Sequence, residues 1–221
     1  MRSQQRILLG IAVACAAAAL LTAVYVVSLM QSPPAVAGSM SGSGQSVNLT
    51  LQSVGALGPE YEHPSWVSYL VRNPEGRWVH STKLTLPAHT LVRVTIYQYD
   101  SATGLRNPFF ARPQGTTGGV IEVDGKAVDV IDPDLASHTF AIPQLGVFVP
   151  LPGVADNAEN QCDAAPCTLA EAHRTITFSF RTGIPGRFRW QCFVPCAAGF
   201  VTGFGGPMQT FGYMDGFVDV V

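Results

Sequence analysis

PGRFRWQCFVPCAAGFVTGFGGPMQTFGYMDGFVDVV, residues 185–221, is the stretch that decides how this chain folds. A Pro-Gly corner leads into an aromatic run that is typical of a β-strand and ends at Cys192, and Cys196 follows four positions later. A last β-run begins at Met214. Two sulfur side chains on a loop between two strands can bind a soft metal ion or can oxidise to a disulfide. The function depends on which of these two occurs.

Short β-runs separated by turn residues continue through the chain beyond residue 60. Apolar and polar residues alternate over residues 92–96 (VRVTI) and 176–180 (ITFSF), which is the period of a half-buried strand. Asp124-Gly125 between two such runs is typical of a hairpin turn. Helical periodicity is nearly absent. The pattern predicts an all-β fold, a sandwich or a barrel.

The first 30 residues have the composition of a membrane span. Residues 7–30 carry no charge, and Arg2 and Arg6 precede them. A bilayer requires about 20 apolar residues, whereas the core of a signal peptide has roughly 7–15. We therefore predict a retained transmembrane helix over residues 1–30, although residues 35–37 (AVA) offer a cleavage site. The positive-inside rule then predicts a single-pass protein of the cell membrane whose C-terminal domain is extracytoplasmic.

Composition divides the remaining chain into a linker and one domain. Residues 31–59 are rich in Ser, Gly and Pro, which predicts a flexible linker, and residues 60–221 have the length of one domain. All 15 acidic residues but only 11 of the 13 basic residues lie after residue 59. This mildly acidic balance argues against a nucleic-acid partner. No motif indicates a hydrolytic site, so any role in an enzyme is that of an electron-transfer subunit.

Four of the five cysteines lie beyond the predicted membrane helix. Disulfides persist on the extracytoplasmic side, so both close pairs are candidates for a bond. The spacing of Cys162 and Cys167 suggests a small disulfide loop. For Cys192 and Cys196 the sequence leaves both a disulfide and a pair of metal-binding thiolates open.

Several motifs of the C-terminal half resemble a known family of copper proteins. The segment 137–153, which begins SHTFAIP, resembles the first-histidine segment of cytochrome c oxidase subunit II. WQC at 190–192, with Cys196, resembles that family's Cys-x3-Cys loop for two copper ions. MDGFVDV at 214–220 resembles the end of the blue-copper cupredoxins. One helix followed by this domain resembles the single-helix form of subunit II.

This resemblance implies a fold, a metal and a function. The fold is a cupredoxin-like Greek-key β-sandwich with one N-terminal transmembrane helix. Copper would be bound by His138, Cys192, Cys196 and Met214, with the carbonyl of Val194 nearby. The function is electron transfer in a respiratory chain, and the partners are a cytochrome or the subunits of a heme-copper oxidase.

The chain also departs from the family's pattern. Phe200 stands where the family has a second histidine, and Gly203 stands where it has a methionine. Met208 follows a Gly-Gly-Pro turn and is a second candidate for the thioether ligand.

These departures keep two other functions open. Two thiols, a methionine and a single histidine suit Cu(I), so the domain is alternatively a module that holds or delivers Cu(I) during oxidase assembly. The other alternative is a structural accessory subunit that lacks copper and has a Cys192–Cys196 disulfide.

Overall fold

The computed structural model describes residues 2–29, 35–40, 46–61, 65–104, 107–196 and 206–221. The chain divides into two units, an N-terminal helix and an all-β domain. The helix, α1, comprises Arg2–Leu29, and its segment Gln4–Val27 is long and apolar enough to cross a membrane. The prediction of one N-terminal helix that could span a membrane is confirmed. A signal sequence has the same properties, so retention of the helix stays a prediction.

The all-β unit contains fourteen strands among the residues that the structure describes. They are β1 Ala35–Ala37, β2 Ser39–Met40, β3 Ser46–Val54, β4 Ser68–Arg72, β5 Trp78–Val79, β6 Lys83–Leu86, β7 Leu91–Gln98, β8 Ile121–Val123, β9 Lys126–Val128, β10 Ala136–Ile142, β11 Val147–Pro152, β12 Arg174–Arg181, β13 Gly186–Gln191 and β14 Asp215–Val220. Short 3-10 helices comprise Pro108–Ala111, Thr117–Gly119, Pro133–Leu135, Pro143–Leu145 and Gly206–Gln209.

The strands form two sheets, and the chain passes repeatedly from one to the other. One sheet has the order β1-β6-β14-β13-β10-β11. The other has the order β5-β4-β3-β7-β12-β8-β9, with β2 paired to β3. The pairs β1–β6, β6–β14 and β3–β7 are parallel, whereas β7–β12 and β13–β14 are antiparallel. The predicted all-β Greek-key sandwich is confirmed.

The core lies between the two sheets and follows the alternation seen in the sequence. In β7 every second side chain, from Val92 to Ile96, is buried, and β12 pairs with it so that Ile176 faces Ile96 across the ladder. Trp190 on β13 and Phe140 on β10 fill the opposite side, with ring centroids 5.1 Å apart. Burial of apolar area on this scale is the main stabilising contribution to the fold.

Part of the segment predicted as a flexible linker is instead structured. β3 lies between β4 and β7 in the second sheet, and its Val47, Leu49 and Leu51 are buried. The linker prediction is therefore wrong for residues 35–40 and 46–59. It failed because the Ser and Gly content of the whole segment hid the period-two pattern of SVNLTLQSV in β3. Residues 31–34 and 41–45 lie outside the described part of the chain.

Candidate metal centre

The fold brings His138, Cys192 and Cys196 together at one end of the sandwich. His138 lies on β10, Cys192 directly follows the neighbouring strand β13, and Cys196 lies on the loop beyond. The Nδ1 atom of His138 is 3.8 Å from the Sγ atom of Cys192, and the two Sγ atoms are 3.5 Å apart. All three potential ligand atoms lie within 4.8 Å of one another. Residues 54 positions apart in the sequence thus converge.

Backbone contacts fix the position of the Cys192 thiol. The backbone N–H of Thr139 donates to Cys192 Sγ at 3.4 Å, and the Thr139 hydroxyl accepts from the backbone N–H of Phe193 at 2.8 Å. On the other side, the N–H of Cys192 donates to the carbonyl of Met214 at 2.9 Å. The loop that carries the thiol is therefore held by β10 on one side of β13 and by Met214, the residue directly before β14, on the other.

The thioether that contacts the Cys196 thiol belongs to Met208. Its Sδ atom is 3.0 Å from Cys196 Sγ, and the carbonyl oxygen of Val194 is 3.1 Å from the same sulfur. Met214 is fully buried, and the contact that joins it to Cys192 is made by its backbone carbonyl. Met214 as a thioether ligand stays a prediction, while the alternative raised from the sequence, Met208, contacts Cys196.

Burial of the cluster is uneven. His138, Cys192 and Val194 are fully buried, whereas Cys196 and Met208 are only partly buried. The imidazole is therefore shielded from water, and Cys196 and Met208 form the less buried side of the cluster.

Sequence reasoning did not find the acidic partner of His138. The Nε2 atom of His138 is 3.0 Å from Oδ2 of Asp100, a residue that follows the end of β7 in the opposite sheet. The two residues are 38 positions apart, and nothing around Asp100 resembles a metal-site motif. Only the packing of the two sheets brings the carboxylate to the ring.

The charges of the cluster influence one another strongly. Burial alone would lower the pKa of His138, but the bond to Asp100 and the neighbouring Cys192 sulfur raise it to about 9. Burial would raise the pKa of Cys192, but the Cys196 thiol and His138 lower it well below its ordinary value. The pKa of Cys196 is raised by its bond to Cys192 and by burial. These shifts favour the thiolate form at Cys192 over Cys196.

The close pairs of cysteines differ in their bonding. Cys162 and Cys167 form a disulfide, which confirms the small loop suggested by their spacing. Cys192 and Cys196 are free thiols, since their 3.5 Å separation far exceeds the roughly 2.05 Å of a sulfur–sulfur bond.

Fold and cluster together define an all-β sandwich with an imidazole, two thiols and a thioether at one end. Neither a protein-family model nor a curated protein matches the chain. Among solved structures, rusticyanin from Thiobacillus ferrooxidans is 20% identical, with 83% of this chain and 86% of that chain covered, at a TM-score of 0.32.

Two further structures are similar at the same level. A single-site mutant of rusticyanin is 18% identical, with 83% and 86% of the two chains covered and a TM-score of 0.34. Reduced rusticyanin determined by NMR is also 18% identical, with 88% and 90% covered and a TM-score of 0.32. At this identity and TM-score the matches carry no argument about the site, and the resemblance to cytochrome c oxidase subunit II stays a prediction.

Proposed function

We propose that this protein is a membrane-anchored, extracytoplasmic copper-binding module that transfers electrons. The observation that carries the proposal is the convergence of His138 with the unbonded thiols of Cys192 and Cys196, which reach the site from two different strands. The proposed ligands are these three residues, with Met208 as the thioether now favoured over Met214.

The donor set matches the chemistry of copper. Thiolate and thioether sulfur are soft ligands that favour Cu(I), and imidazole supports both oxidation states. Tetrahedral metal sites with metal–sulfur bonds of about 2.3 Å keep two sulfur ligands roughly 3.7 Å apart. The Cys192 and Cys196 sulfurs are already 3.5 Å apart, so little movement is required of them.

Copper bound here would supply a one-electron redox couple, and the chain would supply a rigid surrounding for it. Contacts from His138, Thr139 and Cys196 hold the sulfur of Cys192. Full burial of His138 and Cys192 excludes water from the inner side of the cluster. Ligands held in this way change little between oxidation states, and this favours fast electron transfer.

The second part of the proposal concerns the membrane anchor and the compartment of the domain. The helix α1 would anchor the chain, and the charges of Arg2 and Arg6 would keep its N-terminus in the cytoplasm. The disulfide of Cys162 and Cys167 is consistent with an oxidising compartment for the domain. By its resemblance to subunit II, the domain would exchange electrons with a cytochrome or with the subunits of a heme-copper oxidase in a respiratory chain.

Holding or delivering Cu(I) is the second candidate function. It is favoured by the partial exposure of Cys196 and Met208, because ligands at the solvent side of a site can exchange with those of a partner. The third alternative, a protein without copper that has a Cys192–Cys196 disulfide, is disfavoured by the free thiols.

Titration of the full chain in detergent micelles with Cu(I) and Cu(II) tests the proposal. Visible absorption and EPR should report intense thiolate-to-copper bands that bleach reversibly on reduction. Tight, colourless binding of Cu(I) alone would favour delivery. Absence of binding by either ion would contradict the proposal. The bands should disappear in His138→Ala and persist in the control His89→Asn, which changes an exposed histidine whose positive φ of 51° asparagine tolerates.

A further inference from the structure

The carboxylate of Asp100 is built into the site from the opposite sheet. Its Oδ2 atom is 3.0 Å from Nε2 of His138, and its Oδ1 atom accepts the backbone N–H of Ser101 at 2.8 Å. The imidazole is fully buried, while about a third of the Asp100 side chain is exposed. Each oxygen of the carboxylate thus has its own donor.

The backbone around Asp100 is fixed by neighbours on both sides. Its carbonyl accepts from the N–H of Val154 at 3.1 Å and from the side chain of Gln98 at 3.2 Å. Gly55 lies directly against the carboxylate, because a Cβ atom placed there would be 3.3 Å from Oδ1. Gly153 packs more closely still against the next residues, since a Cβ atom placed there would be 2.5 Å from the nitrogen of Ala102. The carboxylate therefore has little freedom to leave the ring.

We propose that Asp100 is the positioning residue of the metal centre and fixes the His138 ring with Nδ1 toward the thiols. A carboxylate only accepts hydrogen bonds, so Nε2 must carry the proton. A metal ion would then displace the proton of Nδ1, the atom that lies 3.8 Å from Cys192 Sγ, and bind the lone pair released there. A carboxylate behind a histidine ligand holds its tautomer and raises its basicity.

The substitution Asp100→Asn tests this positioning role, because the N–H of Ser101 determines how the new amide group is oriented. The N–H of Ser101 requires an acceptor, so the amide oxygen takes the place of Oδ1 and the NH2 group faces Nε2 of His138. Nε2 must then accept, and the proton moves to Nδ1, the atom that should bind the metal. Asp100→Asn thus replaces one oxygen by an NH2 group of nearly the same volume. It disfavours the His138 tautomer in which Nδ1 is free to bind a metal ion.

Cu(I) affinity of the full chain in micelles, measured by competition with a chromophoric chelator, is the first readout. Loss of an outer-shell partner costs roughly 10–100-fold in metal affinity, and we expect a loss in this range for Asp100→Asn. The matched control is Asp129→Asn, in an exposed ion pair with Arg112, which should leave the affinity unchanged. An affinity within about twofold of the wild type for both variants would overturn the proposal.

A second variant covers the case in which Asp100→Asn does not fold. Gly55→Ala keeps the carboxylate but displaces it by a few tenths of an ångström, so it should weaken Cu(I) binding by a smaller factor in the same direction. Unchanged affinity in a folded Gly55→Ala chain, together with an unfolded Asp100→Asn chain, would assign Asp100 a structural role and overturn the proposal.

Because the copper readout rests on the proposed function, NMR of the metal-free chain provides a separate arm. The proton on Nε2 of His138 should exchange slowly in the wild type and in Asp129→Asn, and should be lost from Nε2 in Asp100→Asn. A wild type that binds no copper but has this protected proton would contradict the proposed function alone. A proton on Nε2 that exchanges freely in the wild type would contradict the role of Asp100.

Discussion

The two close cysteine pairs outside the N-terminal helix have nearly the same spacing and opposite chemistry. Cys162 and Cys167 are five positions apart and bonded, whereas Cys192 and Cys196 are four positions apart and remain thiols. Both pairs belong to the same all-β unit and therefore to the same compartment. The difference must come from the side chains and backbone groups around each pair.

Around the disulfide, the hydrogen bonds are made to backbone groups. The Gln52 side chain donates to the carbonyl of Cys167 at 2.6 Å and accepts from its N–H at 3.0 Å. These bonds fix the loop backbone and do not involve the sulfur atoms, which bond to each other. At the other pair the contacts are made to the sulfurs themselves, by His138, Thr139, Val194 and Met208. Cysteine spacing alone therefore does not distinguish a disulfide from a pair of free thiols, whereas the groups that contact the sulfur atoms do.

Disrupting each cysteine pair in turn should produce the largest contrast. Cys192→Ser should lower Cu(I) affinity by more than about 100-fold, since a ligand contributes more than an outer-shell partner. The double variant Cys162→Ser, Cys167→Ser should keep its Cu(I) affinity and lose roughly 2 kcal/mol of unfolding free energy, as expected for a short closed loop. Chelator competition measures the Cu(I) affinity, and urea unfolding measures the unfolding free energy. An equal loss of Cu(I) affinity in both variants would contradict the proposed difference between the two cysteine pairs.

The two methionines near the thiol pair, Met208 and Met214, should respond differently to substitution. Met208→Leu should weaken Cu(I) binding about tenfold, because its sulfur contacts Cys196, and a thioether is a weak ligand. Met214→Leu conserves apolar volume in a buried position and should change mainly the unfolding free energy, by less than about 1.5 kcal/mol. The opposite order of copper affinities would restore Met214 as the ligand predicted from the sequence.

The thiol pair should also give the metal-free protein a pH dependence that the disulfide does not. The pKa of His138 is about 9 in the folded chain and 6.5 ordinarily, so folding favours its protonated form. The contribution of its bonds to the unfolding free energy is fully present below about pH 6.5 and is lost as the pH rises through about 9. The urea midpoint of the wild type should therefore approach that of His138→Gln as the pH rises from 6 to 10. A difference between the two midpoints that stays constant over this range would contradict the raised pKa of His138.

The smallest expected effect concerns the tyrosines near each pair. Burial, followed by the charge of Glu171, raises the pKa of Tyr99 to about 12. This ring lies beside the disulfide loop, where its hydroxyl donates to the carbonyl of Thr168. Burial and the Cys192 and Cys196 sulfurs raise the pKa of Tyr69 well above its ordinary value. In a spectrophotometric titration, Tyr99→Phe should therefore remove a tyrosine transition near pH 12. Tyr69→Phe should leave all transitions up to that pH unchanged.

The repeating features of the fold could be predicted from the sequence, because they follow local periodicity. The alternation of β7 and β12 gave both strands and their inner faces, and the SHTF and Cys-x3-Cys segments gave three of the residues that converge. β3 was missed because its short pattern lies within a Ser- and Gly-rich segment. Asp100 could not be found, since its role depends on the distance between two sheets, which no local pattern contains.

X-ray absorption at the copper edge of the Cu(I)-loaded full chain tests the central claim most directly. We predict one copper ion per chain, with two thiolate sulfurs and one imidazole nitrogen in the first shell and a weaker third sulfur. The imidazole contribution should disappear in His138→Ala and persist in His89→Asn. A first shell of only nitrogen and oxygen, or one unchanged by His138→Ala, would contradict the convergence of this histidine with the two cysteines on a metal.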